Sequence, residues 1–217
     1  MHYAFMLLFE ANGKSLFHAS GIMIPDGATI SSPEALDDLN IDFPVALKIQ
    51  VASGGRGKAG GVRRCNNLKD ARTAAFELFH TRFDGECPRM LLVESWLDIA
   101  RELYLAVTID ARSGGFVVLY GAKGGVDVDT GPPPLRYAFG APTDFRGYLL
   151  REILETIEPD RGLRDGIVAL ARRLLQVARN HECITAEINP LVLLGDGSLV
   201  AGDAKVIRDD AAAFRHA

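Results

Sequence analysis

Cysteine is scarce in this chain of 217 residues, which contains only Cys65, Cys87 and Cys183. They form no Cys-x-x-Cys pair, so the sequence supports neither a disulfide framework nor a zinc cluster, and a reducing cytoplasm suits it. An excess of positive charge is also missing, because 24 Lys and Arg stand against 28 Asp and Glu, a formal net charge of −4. We therefore expect no nucleic-acid binding driven by a global basic field.

Long apolar runs are absent as well. Residues 3–9 are apolar but too short to span a bilayer, they lack a cationic start, and Glu10 and Lys14 follow them. This pattern predicts the first helix of a fold rather than a signal segment. We therefore expect no association with a membrane.

The hydrophobic pattern alternates between helical and strand-like periods, which predicts a mixed α/β (α+β) chain. We expect one domain over residues 1–217 with two α/β lobes, one at about 21–97 and one at about 98–210 together with an N-terminal helix in 1–20. The predicted helices cover residues 6–20, about 32–39, 67–83 and a long segment from 159 with an apolar stripe at Leu163, Ile167, Leu170, Leu174 and Val177. The predicted strands cover 45–51, 90–95, 103–109 and 116–120, with a hinge near 95–100, a loop at 121–142 and a closing hairpin at about 184–207.

A glycine-rich loop follows the strand at 45–51. Five of the ten residues 52–61 are glycine, and Arg56 and Lys58 lie among them. Glycine allows a close approach of the main chain, so that successive N–H groups can turn inward on an anion. Lys48 on the preceding strand is within reach of the same anion. The pattern favours a phosphate-binding loop over the alternative of a surface hairpin tip.

The kind of phosphate loop follows from the residues around it. A P-loop requires Ser or Thr after Gly-Lys, whereas Ala59 follows Lys58. Residues 55–60 fit the dinucleotide pattern G-x-G-x-x-G, but that fold requires a helix to begin within the glycines, near Gly57. Residues 61–65 instead predict a return strand. The sequence thus favours a strand–loop–strand lid over a triphosphate, with a dinucleotide domain as a distant alternative.

The closing hairpin gathers four polar residues. If it is symmetric about Asp196, Asn189 lies opposite Asp203 and Glu187 lies opposite Lys205, all on one face. Amide and carboxylate oxygens suit Mg²⁺, which takes one or two protein ligands and completes its shell with phosphate and water.

Two alternatives to this magnesium site remain open at this stage. One is a buried ion pair with a hydrogen-bonded Asn. The other is a bulge at Pro190 that would disturb the register of the hairpin.

The hinge segment carries acids near two apolar residues. Glu94 ends one strand and Glu102 begins the next, with Trp96 and Leu97 between them. Carboxylates in this position can accept hydrogen bonds from ribose hydroxyls or an adenine amine. A solvated acidic linker is the alternative.

Taken in order, these motifs resemble the nucleotide-binding half of the succinyl-CoA synthetase β subunit, an ATP-grasp fold shared with malate–CoA ligases and ATP-citrate lyase. The resemblance spans nearly the whole chain and implies two α/β lobes that enclose a nucleotide cleft. The matching stretches are Glu10 with 13–14 and 21–22, Lys48 with 54–62, 93–94, 98–104, 124–126, 187–191 and 203–205.

The resemblance also implies site roles and cofactors. The phosphates of ATP (or GTP) would be held by Lys48, Gly55, Arg56 and Gly57, and the adenosine by Glu94, the main chain near Leu97, and Glu102. Asn189 and Asp203 would bind Mg²⁺. Glu187 would assist phosphoryl transfer, and Lys48 and Arg56 would share in that catalysis.

The implied function is that of the Mg–ATP-binding subunit of an ADP-forming acid–thiol ligase. In that chemistry, ATP phosphorylates a histidine on an α-type partner, the phosphoryl group passes to a carboxylate, and CoA captures the acyl phosphate. Only twelve residues follow Lys205, so we expect the family's CoA-ligase domain to act in trans. The family's usual histidine before the glycine loop is replaced by Ala52 and Ser53. The alternative is a stand-alone ATP- or ADP-binding module, regulatory or vestigial, without catalysis.

Overall fold

The computed structural model describes residues 5–51, 60–83, 85–112, 114–125 and 131–215. These residues divide into two compact units. The inserted unit is Pro25–Asp98, and the main unit combines the chain up to Ile24 with the chain from Ile99 onward. Each unit has its own cluster of buried apolar side chains. None of the described helices is long and apolar enough to cross a membrane.

The inserted unit is a four-stranded antiparallel sheet of order β2-β5-β3-β4, with one α-helix. Its elements are β2 (Gly27–Ile30), a 3-10 helix (Glu34–Asp38), β3 (Val45–Ile49), β4 (Val62–Cys65), α2 (Leu68–His80) and β5 (Leu91–Ser95). Helix α2 begins where Asn67 accepts a hydrogen bond from the Asp70 N–H, the N-cap arrangement that the sequence predicts. Its buried face consists of Ala71, Ala75 and Leu78, at the spacing of one helical face.

The hairpin that carries the glycine loop has the predicted form. Strands β3 and β4 pair antiparallel with Lys48 opposite Val62, and the Ile49 N–H donates to the Gly61 carbonyl at 2.9 Å. Among the described residues after this hairpin, the next helix begins at Leu68. Because a dinucleotide-binding fold requires parallel strands joined through a helix, this antiparallel arrangement contradicts that alternative.

The main unit is a seven-stranded sheet of order β1-β11-β9-β6-β7-β8, with β10 also paired to β9. Its strands are β1 (Phe5–Leu7), β6 (Ile99–Ile109), β7 (Phe116–Gly121), β8 (Leu135–Gly140), β9 (Cys183–Leu194), β10 (Leu199–Ala201) and β11 (Lys205–Asp209). Its α-helices are α1 (Glu10–Ala19), α3 (Gly147–Leu154) and α4 (Arg161–Asn180). Helix α4 is capped by Asp160, and the predicted stripe from Leu163 to Val177 is buried, as expected for an amphipathic helix.

Two predictions about secondary structure are wrong. The helix predicted at 6–20 begins at Glu10, because Phe5–Leu7 form β1 and pair with β11 at the edge of the sheet. The loop predicted at 121–142 contains β8, which pairs with β7. In β8 the residues Leu135, Tyr137 and Phe139 alternate with more exposed neighbours, a strand pattern that the surrounding Gly and Pro residues obscured.

Candidate functional site

The hairpin of β9 with β10 and β11, here called the terminal hairpin, has the register predicted from its central turn. Leu193 pairs with Leu199 near the turn, and Glu187 pairs with Lys205 at the open end. Between them, the Gly202 N–H donates to the Pro190 carbonyl at 3.0 Å. These pairs are symmetric about Asp196, so the predicted register is confirmed and Asn189 lies opposite Asp203.

The polar side chains of the terminal hairpin lie on one face. Glu187, Asn189 and Asp203 are half-buried and Lys205 is exposed, whereas the alternating neighbours Ala186, Ile188, Ala204 and Val206 are buried. This alternation is what a strand with one covered face produces. An otherwise apolar ribbon therefore presents an amide, two carboxylates and an ammonium group at its open end.

The oxygen atoms of Asn189 and Asp203 each already accept one hydrogen bond from the main chain. The Gly125 N–H donates to Asn189 Oδ1 at 2.6 Å, and the Ala204 N–H donates to Asp203 Oδ1 at 2.6 Å. These bonds restrain the orientation of both side chains. One amide and one carboxylate oxygen suit a hard cation that also takes ligands from phosphate and water. The residues thus fit Mg²⁺ delivered with a nucleotide.

A cage built from protein carboxylates alone is a different kind of metal site. Within the part of the chain that the structure describes, no group of three or more His, Cys, Asp or Glu side chains is arranged to hold an ion. The donor pair on the terminal hairpin therefore resembles the sparse protein ligation typical of Mg²⁺ bound through phosphates.

Pro190 does not disturb the terminal hairpin, but it coincides with a shift on the other side of β9. In the pairing of β6 with β9, the register changes between Leu103, opposite Leu191, and Leu105, opposite Ile188. The extra residue of β9 therefore falls in the stretch 189–190. Next to this bulge, the Tyr104 hydroxyl donates to Glu187 Oε2 at 3.3 Å.

Glu102 lies against Gly124 and Gly125, and Gly125 also contacts Asn189. The Gly124 N–H donates to the Glu102 carbonyl at 2.8 Å, and a Cβ atom on Gly124 would collide with the Leu103 carbonyl. Gly125 has a φ of +73°, and a Cβ atom there would collide with the Glu102 carboxylate. Since Gly125 also donates to Asn189, the structure brings Glu102 and Asn189 to the two sides of one glycine.

The inserted unit holds the other predicted contacts. Lys48 Nζ forms an ion pair with Glu94 Oε2 at 2.9 Å. The sequence predicts separate contacts of these residues with phosphate and adenosine and does not predict their pairing. The pairing arises because β3 and β5 are neighbours, with Ala46 opposite Glu94. The Glu94 side chain is 2% exposed and that of Lys48 is 14% exposed, so the lysine is the accessible member of the pair.

The segment after β5 is anchored to its own unit. The Ser95 N–H donates to the Asp26 carbonyl at 2.8 Å, and the Trp96 N–H donates to the Pro44 carbonyl at 3.0 Å. The Arg64 guanidinium stacks over the Trp96 ring at 5.0 Å from its centroid, which is a cation–π distance. Leu97, predicted to present its main chain to adenosine, follows directly and is half-buried.

Three predicted residues, Gly55, Arg56 and Gly57, lie outside the described residues. Of the others, the inserted unit contains Lys48, Glu94 and Leu97. The main unit contains Glu102, Glu187, Asn189 and Asp203.

Tyr104 is a residue that the sequence analysis did not single out. It lies two positions after Glu102 in a strand and therefore on the same face, which is the signal that could have found it. Tyr104 also lines a cavity of about 460 Å³ in the main unit, together with Tyr120, Lys123 and residues 131–135.

An ionised cluster lies beside this cavity. The Tyr120 hydroxyl donates to Glu158 Oε1 at 2.6 Å, and Arg101 donates to both oxygens of the same carboxylate. Burial raises the pKa of Tyr120 far above its ordinary value, and the hydrogen bond to Glu158 adds to the shift. The hydrogen bond to Glu158 likewise raises the pKa of Arg101. Tyr120 is therefore a neutral hydrogen-bond donor here and not a proton-transfer group near neutral pH.

The family model described as an ATP-grasp domain matches residues 7–193. This chain belongs to the ATP-grasp family. The predicted fold class and the resemblance drawn from the motifs are thereby confirmed, and membership of the family implies nucleotide binding.

Curated relatives of this ATP-grasp domain include subunits of ADP-forming CoA ligases. It is 32% identical over 216 residues to the succinate–CoA ligase [ADP-forming] subunit beta of Methanocaldococcus jannaschii, covering 97% of this chain and 59% of the relative. It is 33% identical over 217 residues to the ADP-forming sulfoacetate–CoA ligase subunit SauC of Bilophila wadsworthia, covering 97% and 57%. The chain thus spans less than two thirds of the length of these relatives.

A solved structure has the same fold in a chain of similar length. It is the acetyl-coenzyme A synthetase 1 of Ca. Korarchaeum cryptofilum, in complex with coenzyme A and Mg-AMPPCP and with its phosphohistidine segment pointing towards the nucleotide-binding site. The TM-score is 0.69 at 20% identity, and the match covers 93% of this chain and 92% of that chain. At this identity the likeness shows the fold of the ATP-grasp domain alone.

Proposed function

We propose that this chain is the Mg–ATP-binding part of an ADP-forming acid–thiol ligase. It would bind ATP or GTP, pass the γ-phosphoryl group to a histidine on a partner subunit, and act on a carboxylate and CoA together with that partner. The observation that carries this proposal is the terminal hairpin, whose register gathers Glu187, Asn189, Asp203 and Lys205 at one end of an apolar ribbon.

The residues of the inserted unit would act on the phosphate tail. Lys48, at the end of the strand that feeds the glycine loop, would donate to phosphate oxygens and offset their charge. Its ion-pair partner Glu94 would accept hydrogen bonds from the nucleoside. Arg56, with the main chain of Gly55 and Gly57, would complete the phosphate grip.

The residues of the main unit would position the transferred group. Asn189 and Asp203 would hold Mg²⁺, which when bound neutralises charge on the phosphoryl oxygens. Glu187, oriented by the Tyr104 hydroxyl, would orient the partner histidine and accept a hydrogen bond from its ring. Glu102 would contact the ribose.

The overall chemistry divides into three balanced transfers. A partner histidine takes the γ-phosphoryl group and ADP leaves. The phosphohistidine then gives the group to a carboxylate, forming an acyl phosphate and restoring the histidine. Finally, the thiol of CoA attacks the acyl carbon and inorganic phosphate leaves.

The partner and the acid belong to the proposal as well. Because the curated relatives are named as subunits, we propose that the chain works with an α-type subunit that carries the histidine, and that a CoA-ligase domain completes the thioester site. The relatives are named for succinate and sulfoacetate, which share a carboxylate. The substrate class is therefore a small carboxylic acid.

A first experiment tests the metal site. Isothermal titration calorimetry with ATP should detect binding in EDTA and tighter binding in Mg²⁺. Asp203→Asn should abolish the gain from Mg²⁺ but keep the metal-free affinity. Asp196→Asn, at the exposed turn of the same hairpin, is the matched control and should keep the full gain. A chain that binds no nucleotide would contradict the proposal.

A second experiment tests group transfer and separates the enzyme from a binding module. With a co-purified CoA-binding subunit and γ-labelled ATP, the label should appear on a partner histidine, and addition of succinate and CoA should yield a thioester. Glu187→Gln should slow the labelling without loss of ATP affinity. Nucleotide binding without any labelling of the partner would favour the stand-alone regulatory or vestigial module instead.

A further inference from the structure

Helix α1 carries a buried ion pair that the proposed mechanism does not use. Lys14 Nζ lies 3.0 Å from Glu10 Oε1, one helical turn earlier, and the two side chains are 2% and 1% exposed. Burying two charges is costly unless further hydrogen bonds satisfy them. The buried ammonium group of Lys14 is therefore expected to have hydrogen-bond partners in addition to Glu10.

Lys14 reaches from α1 to the terminal hairpin. Its ammonium group donates to the main-chain carbonyl of Gly202 at 2.9 Å, in a contact that is itself buried. Gly202 directly precedes Asp203. A charge-assisted hydrogen bond on this carbonyl restrains the peptide plane from which the Asp203 side chain departs.

A second contact holds the chain on the other side of Asp203. A Cβ atom on Gly13 would lie 3.2 Å from both Ala204 Cβ and Val206 Cγ2, so the backbone of α1 packs directly on this segment. The Ala204 N–H, fixed by this packing, is the group that donates to Asp203 Oδ1. Adjacent residues of α1 thus restrain the chain before and after Asp203.

We infer that Lys14 is a positioning residue for Asp203. Held by Glu10, its ammonium group fixes the Gly202 carbonyl and thereby aims the Asp203 carboxylate at the metal carried by the nucleotide. This inference rests on the proposed function. It predicts that loss of the contact weakens metal binding in the nucleotide complex and leaves nucleotide binding without metal intact. Outer-shell partners of metal ligands typically contribute about 10- to 100-fold in metal affinity.

The test measures Mn²⁺ binding to the complex of the full chain with ADP, by electron paramagnetic resonance of free Mn²⁺, and ADP binding in EDTA, by calorimetry. Lys14→Met removes the donor. The double variant Glu10→Gln with Lys14→Met removes the donor together with the buried negative charge that it faces. Leu154→Ala, a core truncation at the end of α3, controls for simple destabilisation. We expect Mn²⁺ affinity to fall about tenfold or more in both Lys14 variants, with ADP affinity in EDTA within about twofold of wild type.

The possible results distinguish a failure of this inference from a failure of the proposed function. The inference is overturned if the double variant keeps the wild-type Mn²⁺ affinity. It is also overturned if ADP affinity in EDTA falls as much as Mn²⁺ affinity, or if Leu154→Ala loses as much Mn²⁺ affinity as the Lys14 variants. If wild type itself binds Mn²⁺ no better with ADP than without, the proposed function fails rather than the role of Lys14. If both Lys14 variants fail to fold, Gly13→Ala pushes on the same segment by a few tenths of an ångström and should weaken Mn²⁺ about two- to fivefold. No change there overturns the inference.

Discussion

Within the described residues, each unit contains a Lys–Glu ion pair with a buried carboxylate, and the two pairs differ in what the lysine can reach. In the main unit, Lys14 and Glu10 are both closed off and the lysine also binds a main-chain carbonyl. In the inserted unit, Lys48 is 14% exposed and stands at the end of the strand that leads into the glycine loop. The same pairing of Lys with Glu therefore supports two roles. Lys14 holds the backbone, and Lys48 can bind an anion.

The difference shows that the role of a buried Lys–Glu pair depends on what the lysine contacts besides the carboxylate. A lysine whose remaining hydrogen bonds go to the main chain contributes geometry, because any ligand would have to displace a buried bond. A lysine that is open on one side can exchange part of its pairing for a ligand.

The largest expected effect is on stability. Lys14→Met removes the ammonium group beside the buried Glu10 carboxylate and should lower the free energy of unfolding by about 3–5 kcal/mol. Lys48→Met should cost about 1–2 kcal/mol, because solvent can reach its site and partly compensate Glu94. Urea unfolding followed by circular dichroism measures both. A larger cost for Lys48→Met would reverse the comparison.

The next effect is on ligand binding. Lys48→Met should weaken metal-free ATP binding about 10- to 100-fold, because a hydrogen bond to a charged group contributes about 1.5–3 kcal/mol. The loss should be smaller for AMP, which lacks two of the three phosphates available for the proposed contact. Calorimetry in EDTA gives both affinities. Lys14→Met is the matched control and should keep the metal-free affinity. An equal loss of affinity for AMP and ATP in Lys48→Met would contradict a contact between Lys48 and the phosphates.

Buried thiols allow each unit to be followed separately. Cys65 is buried in the inserted unit and Cys183 in the main unit, while Cys87 is exposed. In a Cys87→Ser background, Lys48→Met should speed labelling of Cys65 by a disulfide reagent about tenfold or less, and Lys14→Met should act on Cys183 instead. Mass spectrometry of quenched samples resolves the two sites. Equal acceleration of both thiols in either variant would mean that the units open together.

The smallest expected effect is on the alkaline stability of the main unit. Burial raises the pKa of Cys183 from 9.0 to about 11. The folded state therefore keeps its thiol proton where the unfolded state has lost it, so this contribution is complete below pH 9 and is lost as the pH rises towards 11. Near pH 10 the loss should be about 1 kcal/mol. Cys183→Ala should flatten this slope in urea unfolding between pH 8 and 10.5, and an unchanged slope would contradict the assignment.

The parts predicted correctly from the sequence depend on local pattern. The terminal hairpin was predictable because the turn at Gly195–Gly197 fixes the register, and strand alternation then places Glu187, Asn189 and Asp203 on one face. The return strand after the glycine loop was predictable for the same reason. Both inferences needed only residues that are close along the chain.

The parts that were missed depend on partners far along the chain. Strand β1 exists because β11, about 200 residues later, offers an edge. The Lys48–Glu94 pair requires β5 to lie beside β3, and the strand order β2-β5-β3-β4 is not contained in any local pattern. The contact of Lys14 with Gly202 spans 188 residues and depends on how α1 packs on the sheet.

The stacking of Arg64 on Trp96 has an optical consequence. The chain contains a single tryptophan, so all indole emission of the native protein originates one residue before Leu97, the position proposed for the purine. The Arg64 guanidinium lies over this ring, 5.0 Å from its centroid. A nucleotide that settles beside this segment would change the intensity or wavelength of that emission, which makes the unlabelled protein its own fluorescent sensor in stopped-flow mixing.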